Sequence, residues 1–139
     1  LMGSKGKGIV RSDDGGEKWT QVSEATPLAS VMRTREGVGY WLTDKGLLVS
    51  RDEGKTWEPQ GKSIGGVVGP MWGKTADHMV VVAKDGIHET TDGGKEWKRV
   101  APLPKDFSVG GVGPNYAWDP LSNIFYASLM GKDTFRYQR

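Results

Sequence analysis

The chain has 139 residues, 19 Lys plus Arg against 17 Asp plus Glu, and a formal net charge of +2, which fits one domain and gives no electrostatic case for a nucleic-acid partner. The absence of cysteine excludes a disulfide framework, a Cys-ligated zinc site and a thiol nucleophile. No run approaches 18 apolar residues, so a membrane-spanning helix is excluded, and 21 glycines with 6 tryptophans point to tight turns and short strands.

In chain order, Leu1–Gly8 does not read as a signal peptide. Leu1–Gly3 reads as the end of a strand, and Gly8 opens the next. Strands are then expected at Leu28–Thr34, Val38–Leu42 and Gly46–Ser50, with a fourth starting at Trp57. A second set follows at Val67–Trp72, Met79–Ala83, Ile87–Thr90 and Trp97–Val100. The last set is Val112–Trp118, Ile124–Ser128 and Phe135–Tyr137. Leu129-Met130-Gly131-Lys132 resembles Leu1-Met2-Gly3-Ser4, which marks the first residues as part of the repeat and not an expression scar.

Three gapless segments carry that repeat, beginning at Gly8, Gly46 and Gly86, and each runs Gly, apolar, two variable residues, Ser or Thr, then x-Asp-x-Gly-x-x-Trp. The residue types have a mechanical reason. A strand ends at Ser12, Ser50 or Thr90 and must reverse. Asp14, Asp52 and Asp92 can accept backbone N–H groups of the turn, and Gly16, Gly54 and Gly94 supply a positive φ. Trp19, Trp57 and Trp97 begin the following strand and cover the turn, burying on the order of 150–250 Å² each.

The Ser/Thr-x-Asp-x-Gly-x-x-Trp pattern resembles the Asp-box, or bacterial neuraminidase repeat, of sialidase-like β-propellers. That superfamily includes sialidases, xyloglucan-cleaving hydrolases, sortilin-type receptors and photosystem II assembly factors. The resemblance implies an all-β propeller of four-stranded antiparallel blades, about three of them in this chain. Residues 1–22 form the end of a blade, 23–61 and 62–101 whole blades, and 102–139 a blade without its outer strand. An arc of that size leaves edges and apolar faces bare. Two arrangements would cover them: the chain is the C-terminal part of a longer propeller, or copies self-associate into one ring.

In the families resembled, Asp-boxes lie away from the face that meets ligand, so Ser12, Asp14, Gly16, Trp19, Ser50, Asp52, Gly54, Trp57, Thr90, Asp92, Gly94 and Trp97 are expected to be structural. Calcium at these loops is disfavoured by their low acid count. Ligand is expected at the opposite loops, near Ser23-Glu24-Ala25-Thr26, Gln60-Gly61-Lys62-Ser63 and Pro102-Leu103-Pro104-Lys105-Asp106, and at the turns holding Asp44 and Lys45, Lys84 and Asp85, and Lys132 and Asp133. There one carboxylate and one ammonium recur per blade, either as solvated turns or as a ring of charge pairs around a channel mouth. A sialidase site would need an Arg-Ile-Pro motif, which is absent, and Arg33 and Arg35 fall on the Asp-box side. Tyr40, Tyr116, Tyr126 and Tyr137 suit blade packing. Trp41, Trp72 and Trp118 suit packing too, with stacking on sugar rings as the alternative. His78 and His88 read as surface strand residues and not as metal ligands, and Lys5, Lys7 and Arg11 make too small a basic cluster for a lipid surface.

The expected function is a non-catalytic unit binding a glycan or protein on its channel face, without metal or cofactor. The alternative is part of a sialidase-like or xyloglucanase-like glycoside hydrolase whose active site needs further blades or a second copy. Export to the periplasm or the extracellular space is the habit of the families resembled.

Overall fold

The computed structural model describes residues 1–105, 107, 109, 114–129 and 134–138. Fourteen strands occur among them, in four antiparallel sheets. The first sheet is β1 (Met2–Ser4), β2 (Gly8–Arg11) and β3 (Thr20–Ser23). The second is β4 (Arg33–Arg35), β5 (Val38–Thr43), β6 (Gly46–Ser50) and β7 (Glu58–Gln60). The third is β8 (Gly66–Trp72), β9 (Met79–Ala83), β10 (Gly86–Thr90) and β11 (Lys98–Ala101). The fourth is β12 (Pro114–Asp119), β13 (Ile124–Leu129) and β14 (Thr134–Gln138). Within each sheet the strands lie side by side in chain order, and no strand crosses between sheets. Among the described residues no helix is long and apolar enough to cross a membrane.

Burial follows from how the sheets stack. A sheet covered on both faces buries successive residues and not alternate ones. Every residue of β6, β9 and β10 is buried, which places the second and third sheets inside the stack. The strands β1 and β14 are largely exposed, as befits sheets at its two ends. Two apolar clusters fill the gaps. One joins Ile9 of the first sheet, Trp41, Leu47 and Val49 of the second and Met79 and Val81 of the third. The other joins Val80, Val82 and Ile87 of the third sheet to Phe125 and Ala127 of the fourth. Side chains on alternate sides of β9 thus belong to different clusters, the radial packing of a propeller.

Two expectations are corrected. The strand expected over Leu28–Thr34 is broken. Pro27 makes an isolated bridge to Thr43, Leu28 and Ala29 both donate to the Leu42 carbonyl, and pairing resumes only at Arg33. Two donors on one acceptor put the registers out of step, so the chain loops out with Val31 exposed before β4 begins. Trp19, Trp57 and Trp97 each lie one residue before the outer strand, held by the turn and not by the ladder.

Candidate functional site

β2, β6 and β10 each end in a turn built the same way. The Ser12 hydroxyl donates to Asp14 Oδ1 at 2.8 Å and accepts the Gly16 N–H at 2.8 Å. Asp14 Oδ1 also accepts the Lys18 N–H at 2.9 Å, and the Trp19 indole N–H donates to the Gly16 carbonyl. In the second sheet Ser50 bridges Asp52 and the Gly54 N–H, and Trp57 donates to the Gly54 carbonyl. In the third, Thr90 bridges Asp92 and the Gly94 N–H, and Asp92 takes the N–H groups of Lys95 and Glu96. Gly16, Gly54 and Gly94 have φ of +101°, +82° and +95°, the left-handed region that a side chain resists. The hydroxyl relay explains why only Ser or Thr opens the motif: the group must donate to the carboxylate and accept from the glycine at once.

These bonds favour the charged carboxylates. The Lys18 N–H holds Asp14 below its ordinary value, and the Thr90 hydroxyl does the same for Asp92. Asp52 falls from 3.8 to about 2, chiefly through the Thr56 hydroxyl, 2.6 Å away. Since the folded value lies below the unfolded one, this contribution is complete above pH 3.8 and is lost as the pH falls towards 2. The thermal unfolding midpoint is therefore expected to drop over that interval, and Asp52→Asn should flatten the drop. An identical profile in the variant would refute the assignment.

The other turns close two-residue hairpins, Thr43 pairing with Gly46 and Ala83 with Gly86. That register shifts the charge pairs relative to each other. Asp44 takes the first turn position and Asp85 the second, so the two acids are not equivalent. Asp44 Oδ1 accepts the Thr26 N–H at 2.8 Å, and its own N–H donates to the Thr26 carbonyl. Asp85 lies 2.9 Å from His88 Nε2, and Arg99 Nε donates to its carbonyl. The His88 hydrogen bond lowers the Asp85 carboxyl. Lys45 and Lys84 are exposed, while Lys132 and Asp133 lie outside the described residues.

The histidines are not surface strand residues. His88 is 7% exposed on β10, because the repeat places it at the buried position of Leu48. His78 precedes β9, with Nε2 2.7 Å from buried Glu89 and its ring edge-on to Trp118. Neither contact of His78 is local in sequence, whereas His88 meets Asp85 three residues away and the repeat alignment could have placed it. Trp41 is 4% exposed and donates to the Ala29 carbonyl. Trp72 meets the edge of Tyr40 and carries the Arg35 guanidinium 5.9 Å from its ring centre. Tyr137 donates to the Val100 carbonyl, and burial raises the Tyr116 phenol. No group of three His, Asp or Glu among the described residues could hold a metal ion.

Gly61, Lys62 and Ser63, expected to face away from the Asp turns, line with Ile64 a cleft of about 510 Å³ against Lys95, Glu96 and Trp97 of the third sheet's turn. A Cβ on Gly61 would strike the carbonyls of Gly94 and Lys95. The Asp turn of the third sheet therefore seats on the connection leaving the second.

No curated protein matches the chain. Among solved structures it resembles YCF48 from Cyanidioschyzon merolae, with a TM-score of 0.53 and 19% identity over 99% of this chain and 51% of that one. A structure described as YCF48 bound to D1 peptide aligns with a TM-score of 0.45 and 15% identity, over 94% of this chain and 48% of that one. The chain thus spans about half the length of these structures. Fourteen strands stacked as radial sheets agree with the family model that matches residues 1–133, and the chain belongs to the DUF6242 beta propeller domain family.

Proposed function

We propose that this propeller unit is a non-catalytic scaffold that binds a partner protein, and that its three Asp turns are structural Asp-boxes of the sialidase-like kind. The observation that carries the reading is the fate of the candidate carboxylates. Asp14, Asp52 and Asp92 are consumed by their own turns, Asp44 by Thr26 and Asp85 by His88. A glycosidase needs two carboxyls facing one bond, one of them raised enough to donate a proton. Here Asp85 is pulled the opposite way. With these described carboxylates tied down, Lys45 and Lys84 are exposed cations of the hairpin turns, a surface suited to acidic side chains of a protein. A glycan is disfavoured because the rings it would stack on are engaged: Trp41 is buried, Trp72 lies between Tyr40 and Arg35, and Trp118 lies against His78.

The test is turnover of a fluorogenic sialoside and a fluorogenic glucoside by the chain and by its Asp44→Asn and Asp85→Asn variants. The expected outcome is no release by any of them, with both variants still folded. Release that either substitution abolishes would replace the scaffold by a hydrolase.

A further inference from the structure

Where the third sheet's Asp turn seats on the connection leaving the second, like charges face each other. Lys62 of the connection and Lys95 of the turn line the two sides of the cleft of about 510 Å³, and both are exposed. The repeat shows that this is not a general feature of the motif. Counting five residues on from Trp19 and Trp57 gives Glu24 and Lys62, and counting two back from Trp57 and Trp97 gives Lys55 and Lys95. The positions that hold two lysines here therefore hold Glu24 and Lys55 one sheet earlier, a pair of opposite sign. A cleft walled by one sign of charge draws an ion of the other sign into it.

The chain's own acids do not supply that ion. Glu96 is the one acid among the lining residues, and among the described residues it pairs with neither lysine. Asp92 feels the Lys95 charge, but its Oδ1 is spent on the Thr90 hydroxyl at 2.7 Å and on the N–H groups of Lys95 and Glu96. Further donors gather at the same place. Trp19 and Trp57 give their indole N–H groups to the Gly16 and Gly54 carbonyls, whereas among the described residues the half-buried Trp97 N–H has no acceptor. The Gly94 carbonyl lies instead against Gly61. The Ser63 hydroxyl accepts the Gly65 N–H at 3.4 Å and keeps its own proton to donate. A Cβ on Gly46 would lie 3.4 Å from the Ser63 nitrogen, so the hairpin carrying exposed Lys45 adjoins the connection.

We infer that this cleft seats an acidic segment of a partner protein, a carboxylate lying between Lys62 and Lys95 and taking the Trp97 N–H and the Ser63 hydroxyl as donors. The site rests on the scaffold reading and gives the place and the chemistry by which the partner is held. Its size is that of a pocket for side chains, within the range of about 300–1,000 Å³ usual for ligand clefts. Two lysines across one cleft are too short a basic track for a nucleic-acid backbone, which needs a run of phosphate contacts. A neutral glycan would leave the like charges unanswered, whereas a carboxylate answers both at once.

Calorimetric titration of the chain with an acetylated hexaglutamate peptide tests it, with hexaglutamine of the same length as the control. Hexaglutamate is expected to bind, more weakly as salt rises, and hexaglutamine is not. Inorganic phosphate at the peptide's concentration should not displace it. Lys62→Glu, which recreates the charges of Glu24 and Lys55 at this junction, should weaken binding at least about fivefold. Trp97→Phe, which keeps an aromatic ring at the turn and removes the N–H, should weaken it about threefold. Lys5→Ala, on the exposed hairpin of the first sheet, should leave it unchanged. Circular dichroism checks that each variant is folded. No binding, equal binding of hexaglutamine, displacement by phosphate, or indifference to Lys62→Glu or Trp97→Phe would each overturn the proposal. None of these outcomes touches the scaffold reading, which glycoside turnover decides.

Discussion

Trp41→Ala is expected to lower the free energy of unfolding by about 3–5 kcal/mol, the range for emptying a buried aromatic site. The argument rests on where the indole lies. Trp41 sits on the face of β5 that meets the first sheet, is 4% exposed, and packs at 6.1 Å between ring centres with Trp57. Its Nε1–H donates to the Ala29 carbonyl at 3.0 Å, so the truncation also leaves a buried acceptor unpaired. Trp19→Ala is the internal comparison. That ring is 43% exposed, and its removal should cost less than about 1 kcal/mol beyond the turn hydrogen bond it makes. Urea denaturation of the two variants separates them. Equal losses would mean that the first sheet does not bury the Trp41 indole as described.

The Asp turns were legible in the sequence because the chemistry that builds them is local. Ser or Thr, Asp, Gly and Trp within eight residues satisfy one another's hydrogen bonds whatever surrounds them, so residue type and spacing suffice. The inner-sheet strands were legible for a similar reason: Leu47–Val49 and Met79–Ala83 are continuous apolar runs, which a strand covered on both faces requires. What the sequence hid depends on partners far along the chain. The break at Pro27–Met32 comes from the register against Leu42 and Thr43. The buried Glu89 occupies the place of Val49, a substitution tolerable because His78, eleven residues away, answers it. The offset between Asp44 and Asp85 is hidden in plain view. Aligning the two sheets on Gly46 and Gly86 sets Asp85 opposite Lys45, and a rule that looks only for an acid beside a lysine misses it.

Gly61→Ala and Gly65→Ala pose the second large effect as a matched pair. Both residues lie in the connection between the second and third sheets, with φ of +68° and +64°, so both substitutions bear the same backbone strain of about 1–2 kcal/mol. They differ in space. Nothing lies within 4 Å of a Cβ on Gly65, whereas a Cβ on Gly61 would run into the carbonyls of Gly94 and Lys95. Those atoms belong to the Asp turn of the third sheet, whose shape the Thr90 and Asp92 hydrogen bonds fix, so they cannot yield as a flexible side chain would. Relief requires moving the turn away from Leu47, which opens the cluster joining the two central sheets. Gly61→Ala should therefore cost about 1–3 kcal/mol more than Gly65→Ala. The excess should also disrupt the Asp turn itself, seen as faster hydrogen exchange at the Gly94 amide, whose partner is the Thr90 hydroxyl. If the two variants are equally stable, the turn of the third sheet does not seat on the connection before it, and the coupling between Asp turn and neighbouring sheet is lost as an explanation of how the stack keeps its spacing.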